Sequence, residues 1–437
     1  MGDRGTMEED LAEGVEGMDV EAVLDDGEDL LVEDDFEGDL ADDDDDDNDD
    51  DDDDEVLDDD FPQEEEEEEE KEDECLVKLE AHDDAAYAVA MFLKEGCLMC
   101  LTGGGDDLAH LTEVERSGSV RRRSTLKGHS DSVTCVGFSY DGSLCATGSY
   151  DGSARIWNSA SGESVSALEG PADVEWLDFH PRGDVIVAGS QDGTIWLWQA
   201  RTGECLRVFV GHDGPANCGF FSVDGNSVIS GSADGTLRQW APKKGICKEV
   251  FQMGAPVLQV AKGEDFLVAA ALDGPHVKLI HLKAKKIVST LNLPDDRLAT
   301  CVSILAMSSW VAVGDDSGVL RVFDASKETA LVRMEQLPKT PNSAIMALKS
   351  HKSEPRLTVA QADGHLKHID ARTGAILYEF TGHTDTILSI DFIDDTDTDF
   401  ILSAGDDTQP RLFKASLISH DKTWTKHTTQ KTTTTEE

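Results

Sequence analysis

A histidine, a hydroxyl residue, an aspartate and an aromatic residue recur along this chain at nearly fixed spacing. The first copy comprises His129, Thr147, Asp151 and Trp157. The other two copies comprise His212, Ser230, Asp234 and Trp240, then His383, Ser403, Asp407 and Phe413. Histidine beside aspartate could serve acid–base catalysis, but no serine or cysteine here stands in a nucleophile motif. The pattern indicates a buried relay of hydrogen bonds, because a buried aspartate is stable only when neighbouring groups form hydrogen bonds with its carboxylate.

The spacing of the aromatic residues predicts the elements that hold this relay. Trp157, Trp198 and Trp240 end alternating apolar and polar segments, separated by turns rich in glycine and aspartate. A period of roughly 40–45 residues with four strands in each unit is the signature of a β-propeller blade. Weaker copies end at Thr112, Ile280, Phe323, Ile369 and Phe413. The chain is therefore predicted to be all-β, with a propeller of eight units.

The predicted number of blades is eight. The alternative is seven, if the unit ending at Thr112 is not a true blade, and the way the ring closes distinguishes the two. A propeller is stable when no sheet edge stays exposed. The segment Cys75–His82 resembles a fourth strand and entry turn with no strands before it. We expect it to pair beside Arg411–Phe413, so that the two ends of the chain close the ring.

Charge divides the chain into a tail and a folded domain. The formal net charge is −54, and most of the excess lies in residues 1–74, where Arg4 and Lys71 are the only bases. Acidic runs such as Asp42–Asp54 repel themselves and bury nothing. We expect a disordered acidic tail over 1–73, a propeller over 74–415 and a polar tail over 416–437. Direct binding of nucleic acid is disfavoured by like charge, although the tail could attract basic partners.

The nine cysteines show no regular spacing. An odd number without a framework predicts free thiols and a reducing compartment, the cytoplasm and also the nucleus. The acidic N-terminus does not resemble a signal peptide, and no apolar run is long enough to cross a bilayer. We expect a monomer with no cofactor, no metal ion, no membrane contact and no catalytic residue.

Unit 3 departs from the repeat. It has no Gly-His at its entry, and Ala188 replaces the hydroxyl residue, so Asp192 is expected to be held less firmly. Asp173 and Glu175 flank Val174, which begins the innermost strand, and these flanking positions face the mouth of the central channel in a propeller. The predicted partner-binding residues are Asp173, Glu175, Trp176, Asp316 and Asp406. The alternative is that these are scattered surface acids, as expected of a chain this acidic.

The segments Gly128–Trp240 and Asp173–Pro181, behind an acidic tail, resemble the angio-associated migratory cell protein family. The resemblance covers roughly Cys75 to Phe413. It implies an eight-bladed propeller of the WD40 type whose acidic face holds the basic N-terminal segment of a large-subunit ribosomal protein, the counterpart of bacterial L-sixteen. Such a chaperone would deliver its client to precursors of the large ribosomal subunit (pre-60S particles). Animal members imply the alternative, a general interaction scaffold in signalling or cell migration.

Overall fold

The computed structural model describes residues 73–263, 266–305, 309–326, 330–336, 343–352, 354–394 and 398–416. Within these ranges the chain forms eight four-stranded antiparallel sheets. The described part contains no helix with the length and hydropathy of a membrane-spanning segment. The predicted tails lie outside the described residues, apart from Asp73 at one end and Ser416 at the other.

The strands are numbered in chain order. The first half of the chain contains β1 (Val77–Lys78), β2 (Ala86–Lys94), β3 (Cys97–Gly104), β4 (Ala109–Glu115), β5 (Val120–Leu126), β6 (Val133–Phe138), β7 (Leu144–Ser149), β8 (Ser153–Asn158), β9 (Ser164–Glu169), β10 (Val174–Phe179), β11 (Val185–Ser190), β12 (Ile195–Gln199), β13 (Glu204–Phe209), β14 (Cys218–Phe221), β15 (Val228–Gly231) and β16 (Thr236–Ala241). The second half contains β17 (Ile246–Gln252), β18 (Val257–Lys262), β19 (Leu267–Leu272), β20 (His276–His281), β21 (Lys286–Asn292), β22 (Ala299–Ile304), β23 (Trp310–Asp315), β24 (Val319–Asp324), β25 (Ala330–Gln336), β26 (Ile345–Ser350), β27 (Arg356–Gln361), β28 (Leu366–Asp370), β29 (Ile376–Phe380), β30 (Ile387–Asp394), β31 (Thr398–Gly405) and β32 (Arg411–Ser416). A 3-10 turn covers Pro294–Asp296.

Blades 1 to 7 take four consecutive strands each, beginning with β2–β5 and ending with β26–β29. Burial falls from the inner strands to the outer one. In blade 2, every residue of β7 is buried, whereas most of β9 is exposed. The turn between β6 and β7 is fixed by Ser139, whose hydroxyl lies 2.8 Å from Asp141, and by Gly142, which adopts a φ of 63°. That conformation is accessible to glycine at little cost, so the turn keeps the two inner strands in register.

The hydrophobic core of the propeller lies between blades. Each of eight clusters of buried side chains joins two neighbouring sheets, as when Leu144 and Ile156 of blade 2 pack with Ile186 and Trp198 of blade 3. The inner strands contact one another in sequence around the ring, and β30 of blade 8 contacts β2 of blade 1. Each blade is thus stabilised by two neighbours, and the channel mouth is built by all of them together.

Blade 8 is completed by the other end of the chain. Strand β1 pairs with β32, with Val77 opposite Leu412 and Lys78 opposite Arg411. Asp73 adds an ion pair to Lys78 at 2.7 Å. The predicted closure and the prediction of eight blades are confirmed, and the seven-bladed alternative is wrong, because the unit ending at Thr112 is a complete sheet.

Candidate functional site: the channel mouth of the propeller

The relay residues make the hydrogen bonds that hold each entry turn in place. In blade 2, His129 Nδ1 lies 3.0 Å from Asp151 Oδ2, and its Nε2 lies 2.8 Å from Thr147 Oγ1. The indole of Trp157 donates to the same hydroxyl at 3.0 Å. Equivalent contacts join His212, Ser230, Asp234 and Trp240 in blade 4, and His383, Ser403 and Asp407 in blade 8, where Phe413 packs near the histidine without a donor. The histidine–aspartate pairs therefore serve as structural clamps.

Burial and bonding together determine the charge states in the relay. Burial alone would raise the pKa of the Asp234 carboxyl, but hydrogen bonds from Thr236 and His212 and the backbone of Asp213 outweigh it and lower the pKa to about 2. Burial lowers the pKa of His212 below its ordinary value, although the neighbouring Asp234 opposes this effect. The clamp consequently holds a charged carboxylate and a neutral imidazole near neutral pH.

Sequence reasoning missed one complete relay, in blade 1. His82 lies 2.8 Å from both Asp106 Oδ1 and Thr102 Oγ1. Blade 3, in contrast, has no relay. Asp192 is exposed and bonds to the backbone and hydroxyl of Thr194, at 2.9 and 2.5 Å.

One repeated backbone hydrogen bond defines the channel mouth. In seven blades, the residue directly after the second strand donates its N–H to the carbonyl of the residue directly before the first strand, and in blade 4 the corresponding bond joins Ala233 to Pro215. The donor and acceptor pairs are Gly105 and Ala85, Tyr150 and Ser132, Gln191 and Asp173, Ala233 and Pro215, Asp273 and Pro256, Asp316 and Leu298, Ala362 and Ala344, and Asp406 and Thr386. Asp316 and Asp406 thus hold the donor position of this bond and Asp173 holds the acceptor position, on one face of the ring.

The inner strand supplies a further residue in each blade, generally at a β-bulge one position after the strand begins. In three blades this side chain donates a hydrogen bond to the next inner strand. Thr134 donates to Val174 at 2.8 Å, Asn217 to Val257 at 2.9 Å and Thr300 to Ile345 at 2.5 Å. In those blades the bulge side chain is occupied in joining neighbouring blades.

Blade 3 is joined to blade 4 by a different side chain. Glu175 occupies its bulge, between Val174 and Trp176, and an ionised carboxylate has no proton to donate. The indole of Trp176 instead donates to the Ala216 carbonyl of blade 4 at 2.9 Å. This corrects the predicted placement of Trp176 in the mouth, because the side chain is only 7% exposed and packs between blades 3 and 4. Trp176 thereby leaves Glu175 free for another contact.

Six carboxylates occupy mouth positions of four consecutive blades. This acidic arc comprises Asp385 and Asp406 of blade 8, Asp84 of blade 1, Asp131 of blade 2, and Asp173 and Glu175 of blade 3. Ring closure makes the arc continuous, because blade 8 contacts blade 1. Two exposed aromatic residues accompany it, Tyr87 at 38% and Tyr150 at 41% exposure. The arc contains no lysine or arginine at the equivalent positions of these four blades.

The acids of the arc repel one another. Burial and the charge of Asp173 raise the pKa of Glu175. Burial, followed by Asp385, raises the pKa of Asp406, with smaller contributions from Asp407 and Asp84. Burial and the charges of Glu175 and Asp173 also raise the pKa of the Tyr150 phenol. Raised acid pKa values mean that negative charge here is not compensated, so a bound cation would be stabilised.

Of the four acids predicted for the mouth, Asp173 and Glu175 lie close to each other on blade 3, and Asp406 lies near Asp385 and Asp84 on blades 8 and 1. Asp316 lies apart from them, on blade 6, where Arg297 is 3.8 Å away. Sequence reasoning missed Asp84, Asp131 and Asp385, although a signal was present. Each of them stands two residues after a relay histidine, whereas blade 4 has Gly214 at that position.

The comparisons agree with this architecture. The model of the WD domain, G-beta repeat, matches residues 121–158, 162–199, 203–241 and 374–414. The chain thus carries WD40 repeats in these four segments. It is homologous to the angio-associated migratory cell protein of Homo sapiens, with 29% identity over 370 residues that cover 78% of this chain and 80% of that protein. WD40 propellers are generally binding scaffolds, and no enzyme family is indicated.

Two crystal structures share the propeller fold. Sqt1 of Saccharomyces cerevisiae superposes with a TM-score of 0.70 at 21% identity, covering 79% of this chain and 99% of that one. Sqt1 of Chaetomium thermophilum, bound to the N-terminus of the ribosomal protein L10, superposes with a TM-score of 0.67 at 20% identity, covering 79% and 100%.

Proposed function

We propose that this protein is a non-catalytic chaperone that binds the basic N-terminal segment of a large-subunit ribosomal protein on its acidic arc. The observation that carries the proposal is the arc itself, with six carboxylates on four adjacent blades and no base at the equivalent positions. Carboxylates form charge-assisted hydrogen bonds with lysine and arginine, which are stronger than neutral ones. Tyr87 and Tyr150 add aromatic faces that attract the same cations.

The relatives support the choice of client. Sqt1 of Chaetomium thermophilum has been crystallised with the N-terminus of L10, on a propeller of the same fold. We extend that client class to this chain because its mouth has the charge that a basic segment requires. The chain would act as a monomer in the cytoplasm and nucleus and pass its client to pre-60S particles.

Binding relieves the repulsion within the arc. A lysine or arginine beside Glu175 lowers the pKa that Asp173 and burial have raised, so the complex favours the ionised carboxylate. Affinity should therefore fall as the pH is lowered through the range in which these carboxyls take up protons. It should also fall with salt, since the contacts are partly exposed to solvent.

The test is calorimetric titration of the basic N-terminal peptide of L10 into the full-length protein, at about 50 mM and about 300 mM salt. Glu175→Lys replaces an acceptor with a repulsive charge and should weaken binding by about 2 kcal/mol or more. Glu204→Lys is the matched control, because it makes the same charge change on the exposed outer strand β13 of the same blade.

Asp406→Lys, in blade 8 of the arc, should reproduce the loss seen with Glu175→Lys. Equal affinity of wild type, Glu175→Lys and Asp406→Lys would show that the client binds elsewhere. A wild-type protein that fails to bind the peptide at either salt concentration would favour the general interaction scaffold instead.

A further inference from the structure

A cluster of buried polar side chains outside the channel mouth lies at the interface between blades 7 and 8. Three side chains with metal-ligating atoms meet there, from three different elements. His351 follows β26, His368 lies in β28 and Asp399 lies in β31. Their side chains are 1%, 0% and 0% exposed. Such groups are rarely buried without hydrogen-bond partners.

Several of their polar atoms nevertheless have no partner. Nδ1 and Nε2 of His351, Nε2 of His368 and Oδ1 of Asp399 are buried without a hydrogen bond. His351 Nδ1 and His368 Nε2 each lie 3.6 Å from Asp399 Oδ2. This separation is longer than the usual N–H···O hydrogen bond. Four unsatisfied atoms in one closed space indicate a missing occupant.

The distances fit a metal ion. The ligand atoms of the three residues lie within 4.8 Å of one another. Ligands bound tetrahedrally to zinc at about 2.0–2.2 Å are about 3.3–3.6 Å apart, which is close to the separations observed here. Thr358 Oγ1 lies 3.2 Å from Nδ1 of His368, so it fixes the ring with Nε2 turned towards Asp399.

The groups around the three ligands are mainly acidic. Arg356 donates to Asp399 at 2.9 Å and is also paired with Glu354. Asp394 stands opposite Asp399 where β30 pairs with β31. Three carboxyl groups therefore stand beside one guanidinium, an arrangement that favours a cation.

The geometry points to a structural zinc site formed by His351, His368 and Asp399, in which the ion joins blade 7 to blade 8 near the seam that closes the ring. The other candidate cluster, His82, Asp106 and His110, carries no such proposal. Both ring nitrogens of His82 are already bonded in the relay of blade 1, one to Asp106 and the other to Thr102.

Since the three ligands are sealed from solvent, the ion must enter while the chain folds. The experiment therefore refolds the full-length protein with excess zinc or with a chelator, removes loosely bound metal on a chelating resin and measures zinc by elemental analysis. We expect one tightly held zinc per chain. We also expect a melting temperature higher by about 4 °C at zinc one hundredfold above its dissociation constant.

The variant that tests the ligands is His351→Gln with His368→Gln, which should lose the zinc and the shift in melting temperature. The matched control is His276→Gln with His281→Gln, a histidine pair on β20 of blade 5, which should keep both. Equal zinc content in wild type and the blade 7 variant would overturn the proposal.

X-ray absorption of the zinc-loaded wild type gives a second test that does not depend on variants folding. The spectrum should show two imidazole ligands at about 2.0 Å and no sulfur. Sulfur scattering at about 2.3 Å would assign the metal to cysteines and overturn the site.

Discussion

Blades 3 and 4 share one backbone design but use their polar residues differently. Blade 4 contains the full relay, with His212, Ser230, Asp234 and Trp240 bonded to one another inside the sheet. Blade 3 lacks the histidine and the hydroxyl, and its two extra acids, Asp173 and Glu175, lie on the mouth. Trp176 replaces the inter-blade donor that other blades draw from the bulge. The difference teaches that a blade without the relay can still be joined to its neighbour by a single indole, which leaves its bulge position to a carboxylate.

The largest effect should come from removing that indole. Trp176→Ala should lower the free energy of unfolding by about 3–5 kcal/mol, because the side chain is buried between two blades. Trp176→Phe keeps most of the packing and loses only the bond to Ala216, so it should cost about 1–3 kcal/mol. Urea unfolding measures both. A phenylalanine variant as stable as wild type would show that the hydrogen bond is not the connection we assign to it.

Removing a relay aspartate should lower the free energy of unfolding by less than removing Trp176 does. The same change can be made in blades 3 and 4, so the two blades can be compared directly. Asp234→Ala should cost about 1–3 kcal/mol, since it leaves His212 and Thr236 without their acceptor. Asp192→Ala should cost less than about 1 kcal/mol, because Asp192 is exposed and has no histidine partner. Thermal melts that rank Asp192→Ala as the more damaging change would contradict the assignment of the relays.

Acidification should destabilise the fold through Asp234 and His212 of blade 4. The pKa of Asp234 is lowered to about 2 in the folded state, so its contribution is present above the unfolded value of about 4 and is lost as the pH falls towards 2. The pKa of His212 is also lowered, so below about 6.5 the unfolded chain takes up a proton that the folded chain resists. Stability measured from pH 4 to pH 2, where the Asp234 carboxyl takes up its proton, should fall less steeply in Asp234→Ala than in wild type. Parallel curves would exclude the relay as the source.

The smallest expected effect on the free energy of unfolding comes from a change at the mouth of blade 3. Glu175→Gln removes the repulsion from Asp173 and should leave stability unchanged or raise it, within about 0.5 kcal/mol. The same variant should bind the basic peptide more weakly, because it loses a charge. Calorimetry and thermal melting on one preparation separate the two effects. A clear loss of stability would mean that Glu175 supports the fold and is not reserved for a partner.

Much of the propeller could be predicted from the sequence because its signals are local. The relay residues recur at fixed spacing, and the glycine–aspartate turns mark the hairpins that separate the strands. The complete relay of blade 1 was harder to recognise, because Thr112 stands where the aromatic residue usually marks the repeat. The role of Trp176 could not be predicted, since the Ala216 carbonyl that it satisfies belongs to another blade.

The sequence by itself determined the repeating four-stranded unit, three of the polar clamps and the acidic character of the mouth, because each depends on residues within one repeat. Only the tertiary structure decided which acids lie together. Asp406 and Asp173 are far apart along the chain, and the closure of β1 onto β32 places their blades on one arc, while Asp316 lies beside Arg297. The cluster of His351, His368 and Asp399 likewise exists only where blade 7 packs on blade 8. Electrostatic interaction depends on distance in space, and in a closed ring that distance is set by neighbouring blades.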